Sequence, residues 1–183
     1  RFAAEAAEVT GRRLTAAEAY GKHLFIAFEG APRQVHVHLG MAGRMVFGAG
    51  APPDQPPGKP SAVRWRLTGT HGFADLSGPA ICELVDEPAM TKVLSRLGPD
   101  PLRADADPER AWARISRANT SIAALLMDQS VTAGVGNIFR AEVLYRHGID
   151  PHLPGRLLKH QEWQAIWDDL VELMQAALHV GQI

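Results

Sequence analysis

Hydrophobic and polar positions change their period near residue 86. Before it, apolar residues come in short runs separated by turn signals. Leu24-Phe25-Ile26-Ala27-Phe28 is closed by Glu29-Gly30-Ala31-Pro32. In Gln34–Leu39, Val35, Val37 and Leu39 alternate with His36 and His38. A period of two predicts a strand with one apolar face. Met41–Phe47, Val63–Thr68, Gly72–Leu76 and Ala80–Val85 read as further strands, and the five prolines within Gly48–Pro60 mark a loop. Many short strands with frequent turns predict an antiparallel β-sandwich or barrel.

After Asp86 the pattern becomes helical. Glu87–Leu97 reads as a short helix, and Gly98-Pro99-Asp100-Pro101 with Arg103–Pro108 as a linker. Pro108–Arg117 follows as a helix with Asp107 as N-cap and Pro108 at its first position. Ser121–Gln129 and Asn137–His147 read as two more. In His160–His179, Trp163, Ile166, Trp167, Leu170, Val171, Met174, Ala177 and Leu178 recur every three or four residues, an apolar stripe that must be buried. Gly181 is a stop signal. The expected fold class is therefore α+β: an N-terminal antiparallel β-sandwich over residues 1–98, then a helical domain over residues 99–183.

Charge adds one feature to this picture. The net charge of the 183 residues is −1, yet Arg110–Lys159 holds seven Lys and Arg (among them Arg117) against Asp128, Glu142 and Asp150. A local excess of positive charge points weakly toward phosphate. The single Cys82 excludes an internal disulfide and a zinc site built from several cysteines of this chain. The longest stretches without a charged residue, such as Gln129–Phe139, fall short of the about 20 residues that a membrane span requires. His36 and His38 share one strand face, but no third metal ligand is evident, and the pair reads as polar surface. Trp163 and Trp167 read as core rather than as base-stacking platforms. No serine has a visible His and Asp arrangement for hydrolysis.

The most informative segment is Asp128-Gln129-Ser130-Val131-Thr132-Ala133-Gly134-Val135-Gly136-Asn137-Ile138-Phe139-Arg140. Two glycines before a helix start allow a sharp turn and a close approach to the backbone. The first-turn N–H groups carry partial positive charge, and together these features suit one phosphate. By local pattern alone, a plain tight turn with Asn137 as an ordinary N-cap is the commoner arrangement.

Leu126–Arg146 closely resembles the helix–two-turn–helix signature of the formamidopyrimidine-DNA glycosylase/endonuclease VIII family. Tyr20–Phe25 resembles its strand with a DNA-contacting lysine, His36–Gly43 its "HLGMSG" turn, and Leu97–Leu102 its interdomain "LGPEPL". These motifs occur in one order between about Arg12 and about Pro151, and Asp128-Gln129 leans toward the endonuclease VIII-like branch. The resemblance implies that the helical domain is of the helix–two-turn–helix type. It implies that Asn137, with the backbone of Gly136, holds a phosphate beside the lesion. Lys22 would hold an adjacent phosphate and donate a proton in β-elimination. Met41 would enter the duplex as the damaged nucleotide leaves it, and Glu142 would lie near the active site. Arg117 is taken as a DNA contact.

The family nucleophile is an N-terminal proline followed by glutamate, and the chain starts at Arg1 with neither. The family's C-terminal zinc finger is likewise missing, so a few dozen residues are expected beyond each end. No cofactor is expected in this chain itself, no metal is assigned to its residues, and zinc is expected in the missing finger. Asp75–Cys82 lacks the arginine–phenylalanine pair of the purine-specific branch, which favours oxidised pyrimidines. The expected activity is that of a DNA repair glycosylase with abasic-site lyase activity, working by base flipping into a pocket between the domains and β/δ-elimination. The partner would be damaged double-stranded DNA, bound by a monomer, with no membrane association and a cytoplasmic, nucleoid-associated location. The alternative is a non-catalytic module that grips a nucleic-acid backbone. A metabolic enzyme whose glycine turn holds a small-molecule phosphate is a third class.

Overall fold

The computed structural model describes residues 2–50 and 63–181. The chain divides into two compact units, Arg1–Thr91 and Lys92–Ile183. In the first, helix α1 (Ala3–Val9) precedes the strands β1 (Leu14–Tyr20), β2 (His23–Phe28), β3 (Gln34–His38), β4 (Arg44–Ala49), β5 (Val63–Thr68), β6 (Gly72–Ser77) and β7 (Ile81–Val85), and helix α2 (Glu87–Leu94) carries the chain across the boundary. The strands form two antiparallel sheets, β1-β2-β3-β7 and β4-β6-β5. Their facing sides share one core of Ile26, Phe28, Val35, Val37, Trp65 and Leu76, closed by Phe2 and Val9 from the region of α1. Burying each such side chain contributes about 1.5–3 kcal/mol. This is the expected antiparallel sandwich.

Several expectations need correction. The pattern of the first twenty residues predicts neither α1 nor β1. β1 is exposed almost throughout, so no alternation marks it, and it exists through pairing with β2. β4 starts at Arg44 rather than Met41 and includes Gly48 and Ala49 of the expected loop. The remainder of that loop beyond Gly50 lies outside the described residues. α2 ends at Leu94 instead of Leu97. His36 is 1% exposed, not polar surface. Val35 and Val37 face the sandwich core, while Phe25 and His36 stack on the sheet's other side at 4.6 Å and 9°.

The second unit packs α3 (Pro108–Ile115), α4 (Ile122–Met127), α5 (Asn137–Arg146), a 3-10 turn (Gly155–Leu157) and α6 (His160–Val180). Asp107 caps α3 as expected, its carboxylate accepting from Glu109 N–H at 3.0 Å, and Ser121 caps α4. The apolar stripe of α6 is buried: Trp163, Ile166 and Leu170 are fully enclosed against Ile115, Ile122, Leu126 and Val143. Arg146 at the end of α5 and His147, its C-cap, both reach Asp169 of α6, at 3.2 and 3.1 Å. The segment expected as a linker is bonded into this unit. Gly98 N–H donates to Gln129 O and Ala133 N–H to Pro99 O. A Cβ at Gly98 would lie 2.2 Å from the Val131 carbonyl oxygen, a close approach that only glycine permits.

Candidate nucleic-acid interface

In the first unit, Lys22 and Met41 lie on connections at one end of the same sheet. Tyr20 pairs with His23, and His23 with His38, so the β1–β2 turn and the exit of β3 are neighbours. Lys22 is therefore not on a strand, as the resemblance suggests, but on the two-residue hairpin turn Gly21-Lys22, exposed at the sheet's end. Its ammonium titrates below the ordinary lysine value because the surrounding protein desolvates it. Met41 is 107% exposed. It sits on a tight turn in which Gly43 N–H donates to Leu39 O at 3.0 Å. The two crossovers between the sheets run side by side there. Ala80 N–H donates to Leu39 O, and a Cβ at Gly40 (φ +70°) would fall 2.8 Å from that of Ala80.

Beside both turns lies a cluster of imidazoles that the sequence reading leaves as surface. His23 Nδ1 is 2.9 Å from His36 Nε2, and His36 Nδ1 is 3.4 Å from Glu83 Oε1. Gly40 N–H donates to His38 Nδ1 at 3.0 Å. We assign protons from this network: His36 carries its proton on Nδ1, so its Nε2 accepts from His23. Burial, then the nearby His38 and His36, push His23 down to about 4, and burial lowers His36 against the opposing pull of Glu83. An unfolded chain thus takes up the His23 proton first. The stability contributed by neutral His23 is complete above pH 6.5 and is lost as the pH falls toward about 4. Thermal melts across that window should show this loss, and His23→Phe should flatten it; equal slopes for both proteins would contradict the assignment.

In the second unit, the turn between α4 and α5 is built by two side chains. Asp128 accepts from Ser130 N–H and Oγ–H at 2.8 and 2.7 Å, which holds its carboxyl below the usual range. Gln129 donates from Nε2 to the carbonyls of Met127 and Val135, both at 3.0 Å, and accepts from Gly134 N–H at 3.0 Å. Gly134, Val135 and Gly136 are thereby fixed. The N-cap of α5 is Gly136, and Asn137 is its first helical residue, so Asn137 is not an ordinary N-cap. Its Oδ1 accepts from Arg140, one turn further on. That leaves the Asn137 amide N–H groups as donors beside the open first turn of the helix.

Glu142 is exposed and makes no ion pair among the described residues. Five positions along a helix turn about 140° around its axis, so α5 does not place Glu142 on the face of Asn137. Arg117, just past α3, is exposed. Sequence reasoning missed Gln129 and Arg140 as builders of the turn; the i, i+3 spacing of Asn137 and Arg140 was the available signal for the latter. Among the described residues no group of three His, Cys, Asp or Glu could hold a metal ion. No described helix is long and apolar enough to cross a membrane. Burial pushes the Cys82 thiol up to about 11, which makes it a poor nucleophile.

Two family models match the chain: the formamidopyrimidine-DNA glycosylase N-terminal domain over residues 1–77, and the formamidopyrimidine-DNA glycosylase H2TH domain over residues 97–183. The chain is 48% identical over 183 residues to "Endonuclease 8 1" of Mycobacterium tuberculosis, covering all of this chain and 68% of that protein. It is 38% identical over 165 residues to a formamidopyrimidine-DNA glycosylase of Rhodospirillum centenum, covering 80% of this chain and 54% of that one. The crystal structure of Lactococcus lactis Fpg (MutM) with a FAPY-dG containing DNA shares the fold, with a TM-score of 0.83 at 23% identity, covering 100% of this chain and 68% of that one. The chain belongs to the formamidopyrimidine-DNA glycosylase/endonuclease VIII family.

Proposed function

We propose that this chain carries the DNA-gripping scaffold of a repair glycosylase with abasic-site lyase activity. It acts as a monomer on oxidised bases in duplex DNA, pyrimidines among them. The observation that supports this most is the exposed start of α5, where the Asn137 amide donors lie beside first-turn N–H groups that have no intrahelical partner, next to a turn held by Gln129. One phosphate of the damaged strand sits there. Lys22, a cation whose proton is loosened by desolvation, holds a neighbouring phosphate and supplies a proton during elimination. Met41, thin, unbranched and fully exposed, fills the gap left when the damaged nucleotide leaves the stack. The secondary amine that the family resemblance implies, which is not among residues 1–183, attacks the anomeric carbon and expels the base, and the C1′–O4′ bond then breaks, with a proton delivered to O4′, to leave an open-chain iminium. The resulting iminium acidifies the adjacent sugar proton; its loss expels the 3′-phosphate, and a second elimination expels the 5′-phosphate.

Asn137→Ala should weaken binding to abasic-site DNA by about 1–3 kcal/mol at fixed salt, the scale of a lost charge-assisted hydrogen bond. An unchanged dissociation constant would overturn the phosphate assignment. Borohydride trapping of the full-length protein on the same DNA tests the chemistry. A covalent adduct supports the lyase, and binding without an adduct supports the non-catalytic module.

A further inference from the structure

We propose that His23 is a positioning residue that ties the turn carrying Lys22 to the turn carrying Met41, through direct contacts with His36 and His38. The inference rests on the roles given above to Lys22 and Met41, and adds what holds them in register.

His23 directly follows Lys22 and closes the β1–β2 hairpin opposite Tyr20. Across the sheet it faces His38, with ring centroids 4.7 Å apart, and it stacks on His36 at 5.2 Å and 26°. Its Nδ1 contact with His36 Nε2, at 2.9 Å, fixes the ring. His36 is itself clamped, stacked on Phe25 and facing Glu83. His38 accepts from Gly40 N–H, one residue before Met41. A continuous path of ring contacts and hydrogen bonds therefore runs from the backbone next to Lys22 to the backbone next to Met41. A hairpin tip is otherwise the least restrained part of a strand pair. A phosphate clamp and a wedge must meet one strand at a fixed spacing, so a bridge between their two turns bears directly on rate. The His23–His36 contact requires His36 to be neutral, since a proton on its Nε2 would set two N–H donors head to head.

The test compares single-turnover cleavage of abasic-site DNA by the full-length protein and its His23→Phe, His23→Asn and Lys22→Ala variants. Phenylalanine keeps the ring and loses the hydrogen bond; asparagine keeps an N–H donor near the position of Nδ1. The expected result is a cleavage rate at saturating protein lowered roughly 10–100-fold in His23→Phe, with a smaller change in the dissociation constant and substantial recovery in His23→Asn. Wild-type rates in His23→Phe, beside a slow Lys22→Ala, would overturn the positioning role and leave the proposed function intact. Equal losses in the Phe and Asn variants, tracking only their melting temperatures, would also overturn it and show a merely structural residue. Wild-type cleavage in Lys22→Ala would overturn the role of Lys22 first, and the inference with it.

Discussion

Trp163→Ala is expected to remove a large share of the second unit's stability. The indole is wholly enclosed between α6 and the helices packed against it, and its ring lies 5.7 Å from that of Trp167. Its Nε1–H donates to the Pro108 carbonyl at 3.2 Å, which fastens the start of α3 to α6. Removing the ring costs about 3–5 kcal/mol through lost burial and the cavity left behind, and the stranded carbonyl adds about 1 kcal/mol or more. Domains of this size hold about 5–15 kcal/mol in total. Trp163→Phe keeps most of the packing and loses the hydrogen bond, so it should lower stability far less. Urea denaturation followed by the remaining tryptophans separates the two; similar midpoints for Ala and Phe would show that the indole is not the anchor.

Gln129→Ala is expected to damage the α4–α5 turn, the proposed phosphate site, without unfolding the helices around it. One side chain satisfies the carbonyls of Met127 and Val135 and the N–H of Gly134. Losing these three bonds costs about 2–4 kcal/mol locally, less where water replaces them. The cost falls on the residues that orient Gly136 and Asn137. Affinity for abasic-site DNA should fall by roughly 30-fold, and by up to about 1,000-fold if the whole of this energy is expressed in binding. Gln129→Glu keeps an acceptor for Gly134 but loses both donated bonds and adds a negative charge near the phosphate, so it should bind more weakly than the alanine variant. Amide exchange at Gly134–Asn137 reads the same event directly. Unchanged protection there, with unchanged affinity, would show that the glycine turn holds its shape alone.

The residues that were legible in advance are those whose signal is local. Asp107-Pro108 announced a helix start, and Asp107 caps it. The three- and four-residue spacing from Trp163 to Met174 announced a buried face, and it is the core of the second unit. Val35 and Val37 announced one apolar side of a strand, and they face the sandwich interior. Asn137 was legible as a candidate from the glycines before it and from family resemblance, but not its geometry: whether it caps the helix or offers its amide depends on Gly136 adopting the cap position and on Arg140 reaching back to it. His36 was misread because alternation suggests that a polar side faces water. In a strand paired on both edges, that side packs too, here on Phe25 and His23.

The order of elements from β2 onward, the two-part pattern of strands then helices and the glycine turn before α5 follow from the amino-acid sequence by itself, because periodicity, capping and glycine turns are set by residues within a few positions of one another. Tertiary structure alone decided that β1 is a strand, that Leu97–Leu102 is bonded to the α4–α5 turn, and that three histidines meet beside Lys22 and Met41. Each of these depends on partners brought together across the fold, and their distances, hydrogen bonds and desolvation exist only once the strands and helices have packed.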